Sequence, residues 1–233
     1  MLEVKNLRAS YGGSLVLQGV DMAVPKGHIV AIMGRNGMGK TTLMRSMVGL
    51  IRSLSGQVLF DGEDIIGLAP HRISNLGISY VPQGKEIFQS FTVLENLRLG
   101  VVKFQKKDRA LPQEIFHYFP ILEERSNQKA GSFSGGEQQM LAIARALVSN
   151  PKLLLLDEPS EGIQPSIVKE IGEILIKINR EKGVTILLVE QNVDLVLDIS
   201  NECFFIEKGM IVNRSTTDHL RKDDTLINQY LSL

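Results

Sequence analysis

The chain has 233 residues and a hydrophobic fraction of 43%, which is enough to bury the core of one domain with a subdomain. Its 26 basic and 26 acidic side chains cancel, which excludes a global attraction to polyanions, so we expect no nucleic-acid partner. Cys203 is the only cysteine, which excludes an internal disulfide, and its apolar neighbours predict a small buried residue. Residues 1–6 lack the pattern of a secretory signal, and no apolar run of about 18 residues predicts a membrane span.

The first thirty residues carry the apolar alternation and turn residues of antiparallel strands. One predicted strand begins at Leu2 and a second covers residues 16–24, with Tyr11-Gly12-Gly13 as the turn between them. Residues 28–33 are almost continuously apolar and predict a buried strand.

Gly34-Arg35-Asn36-Gly37-Met38-Gly39-Lys40-Thr41 follows that strand and fits G-x-x-x-x-G-K-[ST], the pattern of a phosphate-binding loop. Residues 41–50 carry apolar side chains at helical spacing, so the loop connects a strand to a helix. Glycines let consecutive backbone N–H groups converge on a phosphate chain, and the helix adds its positive end. Lys40 can reach the terminal phosphates and the hydroxyl of Thr41 can bind Mg²⁺. The sequence therefore predicts a nucleoside triphosphate site.

The middle of the chain continues with strands and a helix and then becomes helical. Residues 57–60 predict a strand, residues 70–76 a short helix and residues 78–81 a short strand. From about residue 92 to residue 150 no convincing strand pattern occurs, which predicts a helical insertion of about sixty residues. The helices predicted within it cover residues 92–100, 108–119, 122–128 and 136–149.

Alternating strands and helices return in the last third of the chain. Residues 153–156 and 184–189 predict buried strands, and residues 165–182 predict a helix that Gly183 ends. The final predicted elements are a hairpin over residues 203–207 and 210–213 and a helix over residues 224–232.

Asp157 and Glu158 follow the first of these buried strands directly. In an open parallel sheet the carboxyl ends of the strands are where ligands bind. Asp157 is placed to hold Mg²⁺, and Glu158 can accept a proton from an attacking water. A plain strand and turn is the alternative interpretation, which the phosphate-binding loop in the same chain disfavours.

Phe133-Ser134-Gly135-Gly136-Glu137-Gln138-Gln139 combines a hydroxyl, two glycines and a predicted helix start, which is typical of a second anion-binding surface. This segment resembles the signature sequence of ABC-type ATPases, and the resemblance extends over essentially the whole chain. It implies an α/β fold of the P-loop NTPase type, with a mixed core sheet flanked by helices. It also implies one domain, whose catalytic core with an antiparallel β part covers residues 1–91 and 151–233 and whose helical signature subdomain covers residues 92–150.

The same resemblance implies roles for individual residues. Tyr11 matches the aromatic residue that stacks on adenine, Gln83 matches the glutamine that touches Mg²⁺ or water, and Glu158 matches the catalytic base. The predicted catalytic residues are thus Lys40, Glu158 and Gln191, and the predicted metal ligands are Thr41, Gln83 and Asp157. The predicted nucleotide contacts are Tyr11, Gly34, Asn36, Gly37, Gly39, Lys40, Thr41, Thr42, Gln83, Ser134, Gly135 and Gly136.

Further implications concern cofactors, partners and location. The resemblance implies ATP and Mg²⁺ as cofactors and a head-to-tail pair of domains, in which each ATP lies between the Lys40 loop of one domain and the Ser134 loop of the other. ATP binding would close the pair and hydrolysis would open it. The implied partners are transmembrane permease subunits, a second ATPase subunit that is either identical or a paralogue, and indirectly an extracytoplasmic solute-binding protein. The implied location is peripheral, on the cytoplasmic face of the inner or plasma membrane.

Two positions depart from the usual family pattern. Gln164 stands where the family usually has an acid that crosses to the partner domain, which leaves that contact open. Gln191 stands where a histidine usually contacts the γ-phosphate, and a glutamine side chain can donate a hydrogen bond but does not titrate at neutral pH. We therefore expect the activity to have no pH dependence that originates from an imidazole at this position.

Several short segments, including those that contain Gln164 and Gln191, resemble one subgroup of the family. Residues 189–192 and 136–140 resemble ATPase subunits of branched-chain amino-acid importers, and residues 161–166, 81–84 and 230–231 resemble the branch that transports urea and short amides. We therefore expect an importer of urea or short amides, with branched-chain amino acids as the next candidate. In the family, the surface after Gln83 receives a helix of the membrane subunit, so Ile87, Phe88 and Phe91 are either docking residues or ordinary core.

Two other functions are compatible with the motifs. A mechanical ATPase of chromosome or repair machines shares them, but such proteins place a long coiled coil between the phosphate loop and the signature, where this chain has no heptads. A regulatory domain that binds ATP without hydrolysis would explain the missing histidine and Gln164. Lys40, Asp157 and Glu158 argue against it, because all three catalytic residue types are retained.

Overall fold

The computed structural model describes residues 1–11, 13–101 and 111–231. The strands are β1 (Leu2–Tyr11), β2 (Ser14–Val24), β3 (Ile29–Met33), β4 (Ser53–Phe60), β5 (Glu63–Asp64), β6 (Ile78–Val81), β7 (Leu153–Asp157), β8 (Thr185–Glu190), β9 (Glu202–Glu207) and β10 (Met210–Thr216). The helices are α1 (Lys40–Met47), α2 (Pro70–Leu76), α3 (Val93–Gly100), α4 (Glu114–Tyr118), α5 (Pro120–Glu124), α6 (Gly135–Leu147), α7 (Pro165–Lys182), α8 (Val193–Ile199), α9 (Thr217–Leu220) and α10 (Thr225–Leu231).

The strands form two sheets. The smaller sheet is antiparallel, in the order β2-β1-β4-β5. The larger sheet has the order β10-β9-β3-β8-β7-β6, and it is parallel apart from the edge strand β10, which pairs antiparallel with β9. In this order β8 is the neighbour of both β3 and β7, so the strand that precedes the phosphate loop and the strand that ends at Asp157 lie one strand apart.

Both faces of the larger sheet are covered, which explains the continuous apolar runs in its strands. Side chains of β3 alternate between two hydrophobic clusters: Ala31 and Met33 belong to a cluster with α6 and α7, whereas Val30 and Ile32 face the smaller sheet and α1. All four side chains are fully buried. Because the phosphate loop begins where β3 ends, its base is held by packing on both sides.

Between β6 and β7 the described residues contain helices and turns, with one isolated bridge between Thr92 and Lys129. Thr92 and Ser134 are the N-cap residues of α3 and α6, and each forms a capping box. The hydroxyl of the N-cap residue accepts from the backbone N–H three residues later, and the side chain of the glutamate at that position accepts from the N–H of the N-cap residue. In the described part of the chain, no helix is both long and apolar enough to cross a membrane.

Most predicted elements are present, but two helices in the insertion were predicted too long. The helix predicted over residues 122–128 is wrong, since α5 ends at Glu124. The carbonyl groups of Ser126 and Gln128 instead accept hydrogen bonds from Leu94 and Val93, at the start of α3. The helix predicted over residues 108–119 is observed only as α4, and its first three residues lie outside the described residues, as does Gly12 of the predicted first turn.

Candidate nucleotide-binding and catalytic site

The phosphate-binding loop connects β3 to α1, as predicted. Gly37 and Gly39 have φ angles of 79° and 103°, in the left-handed region that side chains disfavour, so glycine allows the loop to curl at these two positions. Gly34 is required for a different reason, because a Cβ atom there would lie 2.5 Å from the carbonyl oxygen of Ile206 on β9. The loop therefore packs directly against the backbone of β9, the strand beside β3.

Lys40 is 4% exposed and points back across the loop. Its ammonium group donates to the carbonyl oxygens of Gly34 at 2.7 Å and Arg35 at 3.2 Å. The same group lies 3.2 Å from a carboxylate oxygen of Glu158. The cation is thus placed over the glycine loop, where phosphate oxygens of a nucleotide would meet it.

Asp157 ends β7 and is 1% exposed. The hydroxyl of Thr41 donates to one of its oxygens at 3.1 Å, and the hydroxyl of Tyr80 on β6 donates to the other at 2.9 Å. Burial raises the pKa of Asp157, although the hydrogen bonds from Tyr80 and Thr41 oppose the shift. Hydroxyl and carboxylate oxygens are the ligands that Mg²⁺ prefers beside nucleotide phosphates, so this donor pair fits the ion.

Glu158 follows Asp157 with a φ angle of 48°, a conformation uncommon for residues other than glycine. Its N–H donates to the carbonyl oxygen of Val189 at 2.9 Å, which fixes the turn to the end of β8. Its carboxylate accepts from the side-chain amides of Gln191 at 2.9 Å and Gln83 at 3.2 Å, in addition to the contact with Lys40. One carboxylate therefore connects the phosphate loop to the two predicted glutamines.

Both glutamines make a second contact. Gln191 also donates to the side-chain oxygen of Asn36 in the phosphate loop at 2.8 Å, and Gln83 also donates to Glu161 at 2.9 Å. A cavity of about 310 Å³ lies beside these contacts. Its lining residues are Val16, Asn36, Gly37, Gly39, Lys40, Thr41, Thr42, Gln83 and Glu158.

Several predicted residues do not line this cavity: Gly34, Asp157, Gln191, Tyr11, Ser134, Gly135 and Gly136. Gly34 faces Ile206, whereas Asp157 and Gln191 contact Thr41 and Glu158, which do line it. Tyr11 ends β1 and is 59% exposed, whereas Val16 of β2 lines the cavity instead. Ser134, Gly135 and Gly136 begin α6, and the hydroxyl of Ser134 accepts from the N–H of Glu137 at 3.3 Å. Within one chain, the signature segment is therefore separate from the phosphate loop.

Glu137 stabilises the start of the signature helix. Burial raises its pKa, but the N–H and hydroxyl of Ser134 and the guanidinium group of Arg125 outweigh this and bring the pKa below its usual value. Arg125 forms an ion pair with Glu137 and lies over the ring of Phe133, at 4.3 Å from its centre. These contacts stabilise the start of the signature helix within a single chain.

Sequence reasoning missed three residues at this site: Val16, Tyr80 and Glu190. A signal for Tyr80 was present, because a polar group on the strand next to β7 can reach the acid that ends β7. No local pattern indicated Val16 or Glu190, whose positions depend on how distant strands pair.

This arrangement defines a P-loop nucleotide-binding ATPase, with a phosphate loop after β3 and two successive acids, Asp157 and Glu158, at the end of β7. The sequence model described as "ABC transporter" matches residues 17–161, and the chain belongs to that family. It is an ABC-type ATPase that binds ATP and powers a transporter, and its P-loop α/β fold is the predicted one.

Individual relatives extend the comparison to the whole chain. The chain is 41% identical to the high-affinity branched-chain amino acid transport ATP-binding protein BraG of Pseudomonas aeruginosa, over 99% of both chains. It is 35% identical to the lipopolysaccharide export system ATP-binding protein LptB of Haemophilus influenzae, over 99% of this chain and 97% of that one. Among solved structures, a dimeric ATP-binding cassette in a post-hydrolysis state with ADP and Pi gives a TM-score of 0.84 at 26% identity, over 93% of this chain and 99% of that one.

Proposed function

We propose that this ATPase drives the import of a small amide or amino-acid-like solute, and that the cavity beside Lys40 is its hydrolytic site. The contact of Glu158 with both Lys40 and Gln191 carries the hydrolytic part of this proposal, because it places a proton acceptor next to the cation proposed to bind the terminal phosphates. A binding domain without turnover would not need a carboxylate at this point.

The residues at the cavity have distinct roles in this proposal. Lys40 and the N–H groups of the glycine loop bind the phosphates, and Thr42 lines the same cavity. Thr41 and Asp157 would hold Mg²⁺, with Gln83 near them, and the ion supplies charge neutralisation at the terminal phosphates when bound. Glu158 accepts a proton from the attacking water, and Gln191 orients that carboxylate through its amide.

The signature segment completes the site in a pair of domains. Ser134, Gly135 and Gly136 lie at the start of a 13-residue helix, whose positive end suits phosphate, yet they are separate from the cavity of their own chain. A second ATPase subunit would therefore bring its Ser134 loop to this nucleotide, and Tyr11 is exposed as a stacking surface for the adenine. The dimeric relative supports this assembly.

A groove of about 550 Å³ between β6, α2, α3 and α6 is the proposed contact with the permease. Phe88 lines it and is 50% exposed, with Phe91 stacked on its ring at 5.4 Å, whereas Ile87 packs partly against the core. One guanidinium nitrogen of Arg145 donates to the carbonyl oxygen of Glu86 at 2.8 Å, and among the described residues the buried second nitrogen has no partner. In this arrangement the protein lies on the cytoplasmic face of the membrane.

Two solute classes are supported by different observations. The segments at residues 161–166 and 81–84 favour urea or short amides, with a solute-binding protein outside the membrane as an indirect partner. The similarity to BraG favours branched-chain amino acids. Uptake of urea, acetamide and leucine by cells that express the chain with its co-purified transmembrane subunits would distinguish them. Uptake of none of the three would contradict the import proposal.

The hydrolytic role is tested by phosphate release from the wild type and from Glu158→Gln. The variant is expected to bind ATP and to lose about 10²–10⁴-fold in rate, the usual contribution of a general base. Glu161→Gln is the matched control, because Glu161 shares the donor Gln83 but does not contact Lys40. Equal rates for wild type and Glu158→Gln would favour the regulatory alternative.

A further inference from the structure

Glu190 is a buried carboxylate that none of the roles above uses. It is the last residue of β8, pairs in register with Met33 of β3 and is 2% exposed. Among the described residues no basic side chain forms an ion pair with it. A buried carboxylate is costly unless its oxygens receive hydrogen bonds, so its partners indicate what it is for.

Those partners are three backbone N–H groups from two different loops. One oxygen of Glu190 accepts from Ser160 at 2.8 Å, and the other accepts from Gln191 at 2.8 Å and Asn192 at 3.0 Å. Ser160 lies two residues after Glu158, in the turn that leaves β7. Gln191 and Asn192 form the loop that leaves β8. Glu190 therefore joins the two loops that carry the proposed base and the glutamine that contacts it.

The joined loops are already in contact through their side chains. Gln191 donates to Glu158 at 2.9 Å, a distance that both backbone segments must maintain. Only a group with two acceptor oxygens can receive N–H donors on both sides. A glutamine at position 190 would keep one acceptor and turn its NH₂ group towards a donor, so one of the two loops would be released.

We propose that Glu190 is a positioning residue for ATP hydrolysis, which holds the turn after Glu158 and the loop of Gln191 in one fixed arrangement. It acts through backbone N–H groups and is not one of the residues that line the cavity. The inference rests on the proposed function in one respect, that Glu158 is the base. Its consequence is that Glu190 affects the rate of the chemical step and not the binding of ATP.

The test is steady-state ATP turnover and ATP affinity for Glu190→Gln, Gln191→Ala and the double variant. We expect kcat of Glu190→Gln to fall by about 10²-fold, the usual effect of a displaced catalytic group, with the Kd for ATP unchanged. In the double variant the loss should equal that of the more damaging single change, because both changes disturb the same contact. Additive losses, or a Kd that rises in proportion to the loss of kcat, would overturn the proposal.

Glu202→Gln is a matched control, since Glu202 is a buried glutamate on strand β9 of the same sheet and its partner is Arg214. It is expected to change stability and leave kcat unchanged; an equal loss of kcat would show a general effect of removing a buried carboxylate.

Glu190→Asp keeps both acceptors on a shorter side chain, so it is expected to lower kcat even if Glu190→Gln does not fold. Wild-type kcat in Glu190→Asp would then refute the role. Loss of turnover in Glu158→Gln with wild-type turnover in the Glu190 variants would refute this inference alone, whereas undiminished turnover in Glu158→Gln would refute the proposed base.

Discussion

The ammonium group of Lys40 lies 3.2 Å from a carboxylate oxygen of Glu158, and both side chains are less than a tenth exposed. The cation proposed to bind phosphate and the proposed base therefore neutralise each other. A nucleotide must compete with Glu158 for Lys40, since the terminal phosphates need the same ammonium group. The ion pair couples the binding of ATP to the release of the base.

This competition predicts that Glu158→Gln binds nucleotide more tightly than the wild type. Removing the carboxylate frees Lys40, and we expect the Kd to fall by about 3–10-fold, which corresponds to about 1 kcal/mol. The measurement is equilibrium binding of ADP and of ATP to both proteins. If Glu158→Gln binds both nucleotides more tightly by the same factor, the gain in affinity comes from the lost ion pair and not from slower turnover of ATP. Glu161→Gln should leave the Kd unchanged. An unchanged Kd in Glu158→Gln would show that the ion pair does not oppose binding.

The amide at position 191 predicts a particular pH profile. Gln191 does not titrate, so the wild-type rate should show no pH-dependent step that Gln191→Ala removes. Gln191→His should introduce a step near pH 6.5, the usual pKa of histidine, with activity lost on the acidic side. The physical reason is that a histidinium ion beside Glu158 weakens that carboxylate as a base. Rate profiles of all three proteins from about pH 5.5 to 8.5 test this, and a wild-type step near 6.5 that disappears in Gln191→Ala would contradict it.

Asp157 predicts a conflict between stability and function. Burial raises its pKa, so the folded state binds this proton more tightly than the unfolded state. Its contribution to stability is therefore greatest below the unfolded pKa and decreases as the pH rises through the folded pKa, which means that the charge is destabilising at neutral pH. Asp157→Asn should unfold at a higher temperature, with about 2–4 °C expected for each kcal/mol gained in a chain of this length.

The asparagine is tolerated because its two neighbours, Thr41 and Tyr80, are hydroxyl groups that can donate or accept. The same variant should lose Mg²⁺-dependent hydrolysis. The measurement is thermal unfolding at several pH values. The difference in Tm between Asp157→Asn and the wild type should become smaller as the pH falls through the range in which carboxylates are protonated. A lower Tm for Asp157→Asn than for the wild type at pH 7 would refute the inference that the charge of Asp157 destabilises the folded state.

The start of the signature helix predicts that alanine destabilises the protein at one of two adjacent glycines and has no effect at the other. A Cβ at Gly136 would lie 2.4 Å from the side chain of Ile167 on α7, so Gly136→Ala should destabilise the fold by about 1–3 kcal/mol through overpacking. At Gly135 the nearest atom is the end of the flexible Lys85 side chain, at 3.3 Å, and Gly135→Ala should unfold like the wild type. Denaturant unfolding of both variants tests the difference. Equal stabilities would mean that α6 can move away from α7 at little cost.

The groove predicts a variant that separates permease binding from nucleotide binding. Phe88→Asp places a charge on the apolar wall of the groove and should weaken assembly with the transmembrane subunits by about tenfold or more, with the Kd for ATP unchanged. Val212→Asp is the control, because Val212 is also exposed, at 38%, but lies on β10 and does not line the groove. Normal co-purification of Phe88→Asp with the membrane subunits would exclude docking at Phe88.

The insertion shows where local patterns were not sufficient. The apolar spacing of residues 122–128 suits a helix, but the carbonyl groups of Ser126 and Gln128 are used by the first N–H groups of α3. The free energy of these bonds depends on a neighbour about thirty residues away, which helical periodicity does not report. By contrast α7 was predicted with its observed bounds, because Pro165 and Gly183 mark its ends in the local sequence.

The sequence by itself determined the phosphate loop, the apolar strands on either side of it, the acids at positions 157 and 158 and the start of the signature helix. Each of these depends on residue types within one turn or one strand, where steric and hydrogen-bonding preferences act directly. Tertiary structure alone decided that Thr41 meets Asp157 across 116 positions and that Glu158 meets Gln191 across 33. The order of strands β3, β8 and β7 brings these groups together, and it arises from the packing of the whole sheet, which no local pattern encodes.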